Sequence, residues 1–137
     1  MNKNLFTSTT NPYDPDEFTE LVQSNYEHAG IQIANYNGSI LAVGGSTTTS
    51  DSVEVYSDNE WSDMAAYPFS AVLYKFAVIS TAEGVYYYGG YDGEDFQSQI
   101  VKIANNEWSQ VGTLKSPSTH ISAIKLGDGV LIVGGYG

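Results

Sequence analysis

The run Val85-Tyr86-Tyr87-Tyr88-Gly89-Gly90 decides how this chain reads. Four residues that favour extended backbone end in a glycine pair. A polar loop, a second apolar run and Glu107-Trp108-Ser109 follow. The pattern returns 45 residues upstream as Ile40-Leu41-Ala42-Val43-Gly44-Gly45, and 45 residues downstream as Val130-Leu131-Ile132-Val133-Gly134-Gly135. A fixed period of this length is the signature of a repeat architecture.

Working outward from each glycine pair, the units match along their length. Residues 75–84 and 120–129 lead into the second and third hexamers at the same spacing, and residues 28–38 lead into the first with two residues more. Each lead reads as a β-hairpin turning on Asn37-Gly38, Glu83-Gly84 or Asp128-Gly129, where the glycine supplies positive φ. Loops 46–51 and 91–97 differ in composition, and each precedes a third strand, Val53-Glu54-Val55-Tyr56 or Ile100-Val101-Lys102-Ile103. A shared Asn-Glu-Trp-Ser, at 59–62 and 106–109, then supplies a turn and a short fourth strand. Four antiparallel strands fill the unit and leave no room for a helix. Phe18 stands 26 residues before Gly44, the interval from Trp108 to Gly134, so it reads as the tryptophan of a preceding unit.

The composition bounds the function. Five basic residues against 16 acidic ones give a net charge of −11. That charge argues against nucleic acid and anionic membranes as partners. The chain has no cysteine, which removes disulfides, thiol catalysis and zinc–thiolate sites. No apolar signal segment is visible in residues 1–7, and no window reaches the roughly 18 apolar residues of a spanning helix. A cytoplasmic protein is expected. Asn37-Gly38-Ser39 is a glycosylation sequon, but a tight turn explains the Asn-Gly pair better.

The glycine pairs, the Glu54-Val55-Tyr56 strand and the Glu-Trp pairs at these spacings resemble the kelch repeat over residues 13–137. The resemblance implies an all-β protein, a β-propeller whose blades are four-stranded antiparallel sheets set radially around a channel. In that reading residues 1–12 are a loosely ordered leader and 13–26 the end of a partial blade. Full blades follow at 27–67 and 68–114, and 115–137 is the first half of another. Gly44, Gly45, Tyr56, Trp61, Gly89, Gly90, Trp108, Gly134 and Gly135 form the structural signature, with tryptophans filling the wedges between blades. Propellers close with at least about four blades, so the propeller in this chain is incomplete. Either the repeats continue in a longer chain, or two copies close by exchanging strands three and four for strands one and two.

Little in the sequence points to chemistry. His28 and His120 read as matching positions, with Lys75 between them, and spacing gives neither a carboxylate partner. Structural hydrogen bonds are expected of both. Asp92-Gly93-Glu94-Asp95 lacks the residue order of an EF-hand loop. The chain contains no G-x-S-x-G elbow or phosphate-binding loop. Some kelch propellers oxidise substrates with copper and a cysteine–tyrosine cross-link, which a chain without cysteine cannot build. No catalytic, cofactor-binding or metal-binding residues are therefore expected. The resemblance implies a non-catalytic module that binds a protein partner through blade-end loops 46–52 and 91–99. Tyr91, Asp92, Glu94, Asp95 and Phe96 are the expected contact residues. The alternative is part of a kelch-type enzyme or carbohydrate-binding propeller.

Overall fold

The computed structural model describes residues 6–8, 18–45, 51–69 and 73–136. Among these the regular elements are strands, and none is a helix long and apolar enough to cross a membrane. The chain begins with β1 (Phe6–Ser8) and β2 (Phe18–Glu20). A first four-stranded sheet comprises β3 (Ala34–Tyr36), β4 (Ser39–Val43), β5 (Val53–Ser57) and β6 (Glu60–Asp63). A second comprises β7 (Ala77–Thr81), β8 (Gly84–Tyr88), β9 (Gln99–Ala104) and β10 (Glu107–Thr113), and β11 (Thr119–Leu126) pairs with β12 (Gly129–Tyr136). Every pairing is antiparallel, and within each sheet the strands lie in chain order. This is a meander of the kind that fills a propeller blade.

Two local expectations need correction. The hairpin turn is Asn37-Gly38 in the first unit, but Ala82-Glu83 and Gly127-Asp128 in the others, because Thr81 pairs with Gly84 and Leu126 with Gly129. Gly84 and Gly129 therefore open the second strand rather than closing the turn. A Cβ on Gly84 would lie 2.6 Å from the Ile103 carbonyl oxygen, so close approach of β9 requires that glycine. The turns between third and fourth strands, Asp58-Asn59 and Asn105-Asn106, hold φ of 52° to 63° without glycine, as Asn and Asp tolerate. At the N-terminus, residues 6–8 lie in the stretch expected to be loose. They instead form β1, paired in register from Phe6↔Glu20 to Ser8↔Phe18, because Phe and Thr suit a strand ladder.

The core lies between successive sheets. Leu41, Val43, Val53, Tyr67, Leu73, Phe76, Val85, Tyr87, Val101 and Ile103 form one buried cluster joining the two four-stranded sheets. Ala77, Ile79, Tyr88 and Ile121 form a second, which joins β7–β10 to β11. Each aliphatic or aromatic side chain buried this way stabilises the fold by about 1.5–3 kcal/mol. Trp108 packs between Tyr67 and Tyr87, with centroids 5.1 and 5.7 Å away, and its indole N–H donates to the Ala65 carbonyl at 2.8 Å. Trp61 makes the equivalent bond to the Val22 carbonyl at 3.0 Å. Each tryptophan thus ties the outermost strand of its sheet to the segment entering that sheet from the preceding unit.

Backbone bonds repeat from unit to unit in the same way. The Gly45 N–H donates to the Leu73 carbonyl and the Gly90 N–H to the Ser118 carbonyl, both at 2.8 Å. The Lys75 N–H donates to the Gly30 carbonyl at 2.7 Å, and the His120 N–H to the Lys75 carbonyl at 3.0 Å. Gly30, Lys75 and His120 share a left-handed conformation, with φ of 70°, 58° and 55°. Gly30, rather than His28, is therefore the counterpart of Lys75 and His120. Counting back from the glycine pair gives the structural register: Gly30, Lys75 and His120 each stand 14 residues before it, and the first unit carries no extra residues in its turn or strand.

A candidate interaction cleft at the loop end of the second blade

In a four-stranded meander, the turns after strands one and three fall at one end of the sheet. The loops after strands two and four fall at the other. Loop 91–98 and the segments entering the next unit therefore converge, and between them they enclose a cleft of about 340 Å³. Lys75, Tyr91, Glu94, Asp95, Phe96, Thr119, His120 and Tyr136 line it. Four of the five expected contact residues, Tyr91, Glu94, Asp95 and Phe96, are brought together here. Residues 46–50 of the corresponding first-blade loop lie outside the described residues.

Asp92 has a different place. One of its carboxylate oxygens accepts from the Glu94 and Asp95 N–H groups at 3.0 and 2.8 Å, and the other from the Gln97 side-chain amide at 2.8 Å. This Asx-turn folds the loop and turns Asp92 inward. The Gln97 N–H bonds back to the Gly90 carbonyl at 2.9 Å, and the Tyr91 hydroxyl donates to the Gly93 carbonyl at 3.0 Å. The loop is tied to itself and to the glycine pair, so the cleft wall is held rigidly.

The rings form a continuous row. Tyr74 meets Tyr91 edge-on at 5.5 Å, Tyr91 meets Phe96 at 5.6 Å, and Phe96 meets Tyr136 edge-on at 5.6 Å. His120 lies 6.2 Å from Tyr136, and the Lys75 ammonium sits over Tyr74 at 5.1 Å. Edge-to-face rings hold each other in place and present large area at little conformational cost. The exposed carboxylates of Glu94 and Asp95 stand beside this row. Such an arrangement offers shape, aromatic surface and charge to a binding partner.

A second constellation was missed by the sequence reading, which gave His28 no carboxylate. Glu54, fully buried, accepts from His28 Nε2 at 2.8 Å and from the N–H groups of Asn25 and Tyr26 at 2.9 and 3.1 Å. His28 Nδ1 lies 2.6 Å from the Gly44 carbonyl oxygen. That carbonyl can only accept, so Nδ1 carries a proton while Nε2 shares one with the carboxylate. The group pins segment 25–28 to β5 and to the first glycine pair. These contacts hold the His28 ring between β5 and the glycine pair. Among the described residues no group of three His, Asp or Glu side chains forms a metal site.

No protein-family model matches the chain. Over 124 residues it is 29% identical to Kelch-like protein 38 of Homo sapiens, an alignment that covers 85% of this chain and 20% of that protein. The solved structure of YjhT superimposes with a TM-score of 0.76 at 17% identity, covering 98% of this chain and 45% of that one. The chain thus spans a fifth of the curated relative and under half of the structural neighbour. The 45-residue period and the four-stranded antiparallel sheets, with the superposition on YjhT, show β-propeller blades in the described residues, and in sequence the chain is similar to a Kelch-like protein, as the kelch resemblance implied.

Proposed function

We propose that the chain is a non-catalytic interaction module that seats a segment of a protein partner in the loop-end cleft. The observation that carries this reading is the rigid row of Tyr91, Phe96 and Tyr136 beside the exposed Glu94 and Asp95. Binding residues usually sit on loops held by a rigid scaffold, and aromatic anchors supply most of the energy at protein interfaces. Kinship with a Kelch-like protein supports the same reading. Asp92 acts through the loop conformation, while Tyr91, Glu94, Asp95 and Phe96 touch the partner.

A displayed peptide library panned on the purified chain tests this. Selected peptides should bind the wild type and lose about 30-fold in affinity, roughly 2 kcal/mol, on Phe96→Ala. Glu94→Ala should weaken binding less and reduce its salt dependence. Glu60→Ala, at the turn end, should leave binding unchanged. Peptides indifferent to Phe96→Ala and Glu94→Ala would overturn the assignment.

A further inference from the structure

We propose, resting on the loop-end cleft as the partner's seat, that the seated segment carries an arginine. Its guanidinium stacks on the Phe96 ring and pairs with the carboxylates of Glu94 and Asp95. The division of tasks within loop 91–98 points to this. The bonds that fold the loop use the main-chain N–H groups of Glu94 and Asp95, the Asp95 carbonyl, and the side chains of Asp92 and Gln97. Asp92 engages both of its oxygens there. The Glu94 and Asp95 carboxylates take no part in those bonds, and among the described residues neither belongs to an ion pair. Both residues are exposed and line the cleft with Phe96. Two carboxylates with no task in the fold thus face the same space as an aromatic ring.

The chemistry of that combination selects the cation. A guanidinium is planar, stacks on aromatic faces and offers paired N–H donors to carboxylates, which a compact ammonium does not match. The field of the chain acts in the same sense. Its five basic residues, all lysine, stand against 16 acidic ones, so a basic segment is drawn in and an acidic one repelled. Two groups of the cleft oppose a cation, Lys75 and His120, and both stand at the ends of the aromatic row. The Lys75 ammonium lies over Tyr74 at 5.1 Å, and His120 meets Tyr136 at 6.2 Å. Phe96 lies between Tyr91 and Tyr136, with centroids 5.6 Å from each. A cation therefore gains most in the middle of the row, beside the acidic pair and two rings along from Lys75.

A displayed peptide library panned on the 137-residue chain tests this, with the best binder resynthesised after each arginine is exchanged for citrulline, its neutral isostere. Arginine should be enriched among the binders. The citrulline exchange should lower affinity about tenfold, as two exposed ion pairs and a cation–π contact together imply. Glu94→Gln combined with Asp95→Asn keeps the shape of both side chains and the loop's main-chain bonds. In that variant the arginine peptide should lead the citrulline peptide by only about threefold, the share of the ring contact. Lys75→Gln should tighten the arginine peptide by about twofold, because an opposing charge is gone. Binders that need Phe96 but lack arginine or tolerate citrulline would overturn the arginine and leave the cleft as the partner's seat. So would weaker binding in Lys75→Gln, the mark of a partner held by its own carboxylate. Binders indifferent to Phe96→Ala, or no binder at all, would overturn both.

Discussion

Replacing Glu54 with glutamine should cost the fold about 3–5 kcal/mol, the usual loss when one partner of a buried charged pair is removed. The carboxylate is fully buried and accepts three bonds, from two backbone N–H groups and from His28. Glutamine keeps the shape but swaps one acceptor for a donor. At least one of Asn25 N–H, Tyr26 N–H or His28 Nε2 then faces another donor in a site that excludes water. Charge-assisted bonds of this kind contribute about 1.5–3 kcal/mol each, and an orphaned buried donor adds its own penalty. His28→Ala should cost less, because the two backbone donors remain on Glu54. The double variant should show a coupling of about 1–3 kcal/mol, since the two side chains share one network. Urea unfolding at a single fixed protein concentration measures all three, and the concentration matters if chains associate. A Glu54→Gln loss below about 1 kcal/mol, or additive single effects, would refute the pairing as a source of stability.

Other positions give clear outcomes. Among the described residues the buried Tyr87 hydroxyl has no hydrogen-bond partner, so Tyr87→Phe should stabilise the protein by about 1–2 kcal/mol, read as a higher urea midpoint. Burial raises the Tyr87 phenol above its usual value of 10.0, and burial together with the Asp92 charge raises Tyr67. A phenol whose folded pKa is raised stabilises fully below its unfolded value, and that contribution is lost as pH climbs past it. Stability should therefore fall above about pH 10, with two tyrosines ionising only as the chain unfolds; ultraviolet titration of tyrosinate reads both. Gly89→Ala should destabilise by at least about 2 kcal/mol. Its φ is +60°, and a Cβ there would stand 2.4 Å from the Ser118 carbonyl oxygen.

The fold was legible because the glycine pairs recur at a fixed interval and the apolar strands before the first two are buried between neighbours. The local frame was less so. Reading the first lead as two residues longer placed His28 opposite His120. The main-chain bonds place Gly30 there, because the turn keeps its distance from the glycine pair in every unit while the glycine within or after it shifts by one position. Glu54 carried a usable signal: aligned on the tryptophans, its counterpart is Val101, which is buried. A carboxylate where the other unit keeps valine marks a buried polar group that needs a partner. The partner itself lies 26 residues away and becomes a neighbour only when the blade forms. In the cleft, composition and position picked out Tyr91, Glu94, Asp95 and Phe96. The convergence of Lys75, Thr119, His120 and Tyr136 depends on how one unit packs against the next, which no local pattern encodes. Asp92 resembled its neighbours in sequence, and only the Asx-turn separates its task from theirs.

Hydrogen exchange of the chain with and without a selected peptide tests the central claim most directly, because it locates the partner on the fold. The account predicts new protection confined to residues 91–97, 118–120 and 136, at the loop end of the second blade. Protection centred on the turns at 58–59 and 105–106, with the loop end unchanged, would contradict it.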